Sequence, residues 1–305
     1  MIAALKIHLQ AWFLSSIVTR FIKAPAVSLT QRAVGEPELV NVPTRHGPVR
    51  CYITRPAIDA PLAAGPNSPV HVNIHGGAFL IGAPRQDEHL VKAIAGEVGA
   101  VVVNVDYSRA PRVRYPHAEE ECFDVLRWIA ASGADQGWDG GCISISGTSA
   151  GGNLALAALQ LARANGGPNV RAGVLFVPVV DLTLSAESYV SDISKPFVSP
   201  AMIRLVQETY FKDASRRAET LASPALAGGE LSELPPLLIF GAQHDSIRPQ
   251  IENFVRKIEG LGVDVTYVCI EGVDHDFEVN KDAVRVLPGV ARTMSAHLNT
   301  HLANR

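Results

Sequence analysis

The sequence is short of paired cysteines, of charge blocks and of long apolar runs, and each shortage removes a class of protein. Its four cysteines, Cys51, Cys122, Cys142 and Cys269, stand far apart with no CxxC spacing. Disulfide frameworks and structural metal sites bring cysteines in close pairs. These four therefore read as reduced core residues in a reducing, cytoplasmic compartment, and nothing in the sequence calls for a metal or an organic cofactor. No basic block or aromatic–arginine patch is present and the formal net charge is −3, so nucleic acid is not an expected partner. Repeats and low-complexity tracts are also missing. The most apolar end, MIAALKIHLQAWFLSSIVTRFIKAP, is interrupted by Lys6, His8, Arg20 and Lys23. It falls short of the ~20 uninterrupted apolar residues that span a bilayer. It also shows no small-residue cleavage site of the kind that follows a signal peptide core.

What is present begins with periodicity. Ile2, Leu5, Leu9, Trp12, Phe13, Ile17 and Phe21 recur at steps of three and four, which predicts an amphipathic helix packing this stripe on the body of the protein. Peripheral contact of that helix with a membrane surface is the less favoured alternative. Two short strands follow, LVNVPT and PVRCYITRP. After them come short β-branched runs: VHVNI (70–74), AVVVNV (100–105), CISIS (142–146), AGVLFV (172–177), LLIF (237–240) and DVTYVCI (264–270). Most alternate with helical patterns, and a long helix closes the chain from about residue 282 to 301. Strand–helix alternation with almost continuously apolar strands predicts an α/β fold, with a mostly parallel sheet covered on both faces. A chain of 305 residues suffices for one large domain of this kind. Residues 182–222 break the rhythm and read as an insertion over the strand ends, where ligands bind in such folds.

Between CISIS and the helical NLALAALQLARA lies GTSAGG, residues 147–152. A sharp strand-to-helix turn needs flanks without bulk, and it lifts the Ser149 hydroxyl above the sheet at a helix N-terminus. A serine becomes a nucleophile once a base takes its proton, and the base in turn needs a carboxylate. His275 in EGVDHDFEV follows the last strand, and Asp245 in FGAQHDSIRP follows the one before it. Asp181, at another strand end, is a rival acid; Asp274 and Asp276 adjoin His275 too closely to reach its far ring nitrogen easily. Directly after VHVNI comes HGGAF, whose Gly76 and Gly77 N–H groups, with that of Ala150, would face a developing oxyanion. Each such donor is worth about 3–4 kcal/mol.

With these residues assembled, the chain from about Val70 onward resembles the hormone-sensitive-lipase-like branch of the α/β-hydrolases, the bacterial type IV carboxylesterases. NIHGGAFLIG is similar to that family's oxyanion segment, VNVDYSRAPRVRYP to its DYRLAPE region and ISGTSAGGNLA to its elbow. SPALAGGELSELPPLLIFGAQHDSIRP resembles its acid-bearing stretch and EGVDHDF its histidine loop. The resemblance implies Ser149 as nucleophile, Asp245 as acid and His275 as base, with Gly76, Gly77 and Ala150 as oxyanion donors. It implies an α/β-hydrolase catalytic domain over residues 46–305, capped by a helical segment of residues 1–45 and by the insertion at about 182–222. The expected reaction is hydrolysis of short- to medium-chain carboxylic esters, small-molecule substrates, through an acyl-serine. Lipase, amidase or lactonase activity on the same residues is the alternative. A non-catalytic receptor on this scaffold is a further one, against which the retained His275 argues. The family also admits a homodimer, through strand edges or the last helix.

Three departures from the family pattern stand out. Ala78 replaces the third glycine of the oxyanion segment, so its backbone should suit a residue with a β-carbon. Thr148 takes the place of the commoner aspartate, with no physical account of its own. Asp276 replaces a glycine and is expected to face solvent, the alternative being a carboxylate that raises the pKa of the adjacent His275. Trp12, Phe13, Phe79, Phe197, Tyr210 and Phe211 are candidate pocket or cap residues, with core packing the competing role for each.

Overall fold

Because the central strands carry apolar side chains on both faces, they have to be buried on both. A computed structural model, which describes residues 2–22 and 24–303, shows how this is done. The strands are β1 (Glu38–Thr44), β2 (Gly47–Thr54), β3 (Pro69–Ile74), β4 (Val101–Asp106), β5 (Asp139–Thr148), β6 (Val170–Phe176), β7 (Leu237–Ala242) and β8 (Val265–Ile270). They form one sheet in the order β1-β2-β4-β3-β5-β6-β7-β8. The β1–β2 and β2–β4 pairs are antiparallel and the rest parallel. Every residue of β3 and β7 is buried.

The helices are α1 (Ile2–Ser16), α2 (Glu88–Ala93), α3 (His117–Ala131), α4 (Gly133–Gln136), α5 (Ala150–Ala164), α6 (Pro200–Tyr210), α7 (Arg248–Gly260) and α8 (Ala283–Ala303). A π-helical turn, Ile94–Val98, prolongs α2. Helices α3 and α5 pack on each other and on the sheet, and α8 lies against β5 and β6. The strand order reverses around β3, with β4 on one side and β5 on the other. The loops leaving the C-terminal ends of β3 and β5 therefore part, which opens a crevice of the kind that holds ligands in α/β sheets. HGGAF leaves β3 and Ser149 leaves β5.

The N-terminal helix forms, but it turns its other side inward. Ala11 is fully buried, with Ile7 and Leu14 packed beside it against the core. Leu9, Trp12, Phe13 and Phe21 are exposed, by 59, 53, 52 and 76%. Four residues of the expected stripe thus face outward and Ile17 is half-buried; the side chains of Ile2 and Leu5 lie outside the described ones. The helix is apolar on two sides, and the side with the small Ala11 at its centre approaches the body, where α1 meets α6. No described helix is long and apolar enough to cross a membrane.

Candidate active site

The turn after β5 is held by close approach. A β-carbon on Gly151 would lie 2.0 Å from the Ile74 carbonyl oxygen, and one on Gly147 2.2 Å from that of Gly151. Squeezed between them, Ser149 adopts φ 55 and ψ −114, a conformation costing on the order of 1–3 kcal/mol for a residue with a side chain. Both its backbone groups are fixed by the segment leaving β6: its N–H donates to Phe176 O at 2.8 Å, and its carbonyl accepts from Val179 N at 3.2 Å. Although Ser149 is the N-cap of α5, its hydroxyl caps nothing. It lies 2.8 Å from His275 Nε2 instead.

His275 Nδ1 is 2.6 Å from Asp245 Oδ2. With Nδ1–H donating to that carboxylate, Nε2 keeps its lone pair for the serine proton. Both side chains are almost entirely buried. Burial disfavours a charged imidazolium, but the Asp245 carboxylate outweighs it, and the net effect raises the His275 pKa above its ordinary value. Asp245 Oδ1 also accepts the Ile247 N–H at 3.0 Å, which fixes the carboxylate plane. Asp181 is occupied elsewhere, since its Oδ1 accepts the N–H and hydroxyl of Thr183 and closes a local turn. Asp274 shapes the loop: one of its oxygens takes the His275 N–H at 2.7 Å, the other the Phe197 N–H at 2.6 Å. Asp276 does not turn out to solvent as expected. It is half-buried on the cavity wall and accepts from Asn280 Nδ2 at 2.9 Å. Burial raises its pKa, and Asp276 helps to raise that of His275.

The loop after β3 bends through three consecutive left-handed residues, Gly77 (φ 132), Ala78 (φ 54) and Phe79 (φ 59). Ala78 therefore does not have a backbone suited to a β-carbon, since it sits in the narrow left-handed region that favours glycine. Gly77 has no alternative residue: a β-carbon there would lie 2.3 Å from Ile81 O. No acceptor among the described residues takes the N–H of Gly76, Gly77 or Ala150. The Tyr107 hydroxyl donates to His75 O at 3.1 Å, and Gln86 Nε2 donates to Gly76 O at 3.3 Å, so the loop is tied from behind.

Ser149, His275, Gly76 and Gly77 form one end of a cavity of about 430 Å³ whose remaining wall is largely apolar. Phe79 and Phe197 line it. The Phe197 ring lies parallel to the His275 imidazole, centroids 5.9 Å apart. Tyr210 does not reach the cavity. It stacks behind Phe79 at 4.2 Å and donates its hydroxyl to the buried Glu119. Phe211 packs against Tyr115 in the same aromatic group. Trp12 and Phe13 are outside the lining, because α1 turns them to solvent; Val18 and Ile22, just beyond the helix, line the cavity in their place. Sequence reasoning also missed Glu278, a buried carboxylic acid on the cavity wall. Among the described residues, no three His, Cys, Asp or Glu side chains converge as a metal would require.

A serine–imidazole–carboxylate relay at the C-terminal edge of a mostly parallel sheet, beside a glycine-rich loop with free N–H donors, defines an α/β-hydrolase site. A family described as alpha/beta hydrolase fold matches residues 71–279. The chain belongs to this family, in its hormone-sensitive-lipase-like branch. It is 31% identical over 243 residues to the carboxylesterase NlhH of Mycobacterium tuberculosis, which covers 79% of this chain and 72% of that protein. The ethyl acetate hydrolase of Pseudomonas putida is 29% identical over 274 residues, covering 86% of this chain and 84% of that one. Among solved structures, the hyperthermophilic esterase from Pyrobaculum calidifontis superposes with a TM-score of 0.78 at 28% identity, over 97% of this chain and 93% of that one.

Proposed function

We propose that the protein hydrolyses carboxylic esters with Ser149 as nucleophile, His275 as general base and acid, and Asp245 as the carboxylate that orients and stabilises the imidazolium. The observation that carries this reading is the relay of 2.8 and 2.6 Å contacts opening onto an apolar cavity. Ser149 Oγ attacks the ester carbonyl carbon while its proton passes to His275 Nε2. The N–H groups of Gly76, Gly77 and Ala150 receive the negative charge on the former carbonyl oxygen. When the tetrahedral intermediate collapses, the C–O bond to the alcohol breaks, and His275 Nε2 returns its proton to the departing oxygen. Water, deprotonated by the same nitrogen, then attacks the acyl-serine; the bond to Ser149 Oγ breaks, His275 Nε2 returns the proton to that oxygen, and the carboxylic acid leaves.

A cavity of about 430 Å³ favours short- to medium-chain esters over bulky glycerides. In this reading the cap comes from residues 1–45 through Val18 and Ile22, and from the 182–222 insertion through Leu182, Phe197, Met202 and Ile203, all of which line the cavity. The four cysteines, three of them buried, form no disulfide among the described residues, which supports a cytoplasmic location. Ser149→Ala should lower kcat on p-nitrophenyl butyrate by about 10⁶-fold, with an unchanged thermal unfolding curve. Turnover close to that of the unmodified enzyme in this variant would refute the assignment.

A further inference from the structure

Thr148 and Glu278 take no part in the reaction above, yet both border its site. Thr148 precedes the nucleophile by one residue, and Glu278 follows His275 by three. The Thr148 hydroxyl donates to Glu278 Oε2 at 3.1 Å, joining the same two segments that the Ser149–His275 contact joins. Thr148 also packs on the oxyanion loop: a β-carbon on Gly76 would lie 3.1 Å from its carbonyl oxygen and 3.3 Å from its methyl carbon. One side chain therefore touches the histidine loop on one side and the oxyanion loop on the other.

Glu278 is 3% exposed, and its Oε1 has no partner among the described residues. The ionisable group acting on it from the facing element is another buried carboxyl, Asp87, just before α2. Asp87 Oδ2 accepts from Asn73 Nδ2 at 3.2 Å, Gln86 lies beside the carboxyl, and Oδ1 has no hydrogen-bond partner within bonding geometry among the described residues. Behind Asn73 lie Ser146, His71 and Asn104, joined by hydrogen bonds. His71 supplies no positive charge there, because burial lowers its pKa to about 3. On Glu278's own loop are His275, which is committed to Asp245, and Asp276.

Burying an unpaired carboxylate costs several kcal/mol, and a second one beside it costs more, so such groups take up protons. Burial, and then the neighbouring Asp87, push Glu278 well above the usual carboxylate range; burial pushes Asp87 up as well. An ionised Glu278 would place negative charge beside Thr148, which packs on the oxyanion loop, and would work against the stabilisation of a developing oxyanion. As the neutral acid it holds Thr148 without that penalty.

We propose that Glu278 is a positioning residue that works as the neutral acid, clamping the histidine loop to the nucleophile turn through Thr148. The proposal rests on the roles assigned to Ser149 and His275. It is tested by comparing the unmodified enzyme with Glu278→Gln, Glu278→Ala and Thr148→Val on p-nitrophenyl acetate from pH 6 to 10, with fluorophosphonate labelling of Ser149 in each. Glutamine keeps the size and the hydrogen bond and cannot ionise. Glu278→Gln should hold kcat within about threefold of the unmodified enzyme and stay active at alkaline pH, where the parent declines. Glu278→Ala and Thr148→Val should each lose about tenfold in kcat with KM little changed, the effect of one lost hydrogen bond. Thr148→Val, nearly isosteric, keeps the test decisive if the alanine variant fails to fold. Equal kcat in Thr148→Val and the unmodified enzyme, or Glu278→Gln as impaired as Glu278→Ala, would overturn the clamp while labelling stayed intact. An unmodified enzyme that neither labels nor hydrolyses would instead overturn the hydrolase reading, and the clamp with it.

Discussion

Helices α5 and α1 are both 15 residues long and rich in apolar side chains, yet α5 is buried on nearly every side while α1 turns three of its largest residues to solvent. The difference lies in how each helix begins. The first turn of α5 is locked against β3 by Gly151, so its rotation about its own axis is set before any leucine packs. Leu154 and Leu156 then fall where the sheet and α3 receive them, and both are fully buried. For α1 no such lock exists among the described contacts. Its orientation follows from which side comes nearest to the body, and Ala11 with Ile7 and Leu14 allows a closer approach than a face built of Leu9, Trp12 and Phe13. Hydrophobic period reveals a helix; the steric fit of individual residues decides which way it faces.

Three variants test that contrast. The largest effect is expected from Gly151→Ala, whose methyl group would overlap the Ile74 carbonyl. It should cost more than about 4 kcal/mol in urea unfolding and abolish ester hydrolysis. A soluble variant with an unchanged midpoint and full turnover would show that the close approach does not fix the turn. Leu156→Ala, in the buried middle of α5, should cost about 2–5 kcal/mol in the same assay while leaving KM for a short ester unchanged. The smallest effect belongs to Trp12→Ala combined with Phe13→Ala, at most about 0.5 kcal/mol for each position. A loss above 1 kcal/mol per position would mean that the outward face of α1 contributes to the packed body, and the contrast with α5 would collapse.

The same division separates what could be read in the sequence from what could not. Runs such as VHVNI and LLIF identify buried parallel strands, because apolar side chains on both faces need cover on both. Ser149, Asp245 and His275 each follow a strand at the same edge of the sheet, so strand-end position and family resemblance together point to the contacts between them, with Asp181 excluded only by the fold. Glu278 and Asp87 are not legible in the sequence because a carboxyl in a polar stretch reads as a solvated charge, and only the fold removes water from both. Thr148 had no visible role until its partner, 130 positions away, came within hydrogen-bond reach. Ala78 departs from the sequence expectation because its left-handed backbone is imposed by the whole loop, Gly77 through Phe79, and not by the alanine's own preference. Tyr210, a pocket candidate by sequence, serves one layer back, bracing Phe79 while Glu119 holds its hydroxyl.

The bonds from Ser149 to Phe176 and Val179 bear on how the enzyme cycles. An unfavourable backbone angle held by a single contact could relax whenever the acyl group came or went. Here the residue is gripped from both its amide and its carbonyl by one neighbouring segment, so the hydroxyl should keep the same aim when free, acylated and released. The cost of that geometry falls once, when the chain folds, and does not recur at each turnover.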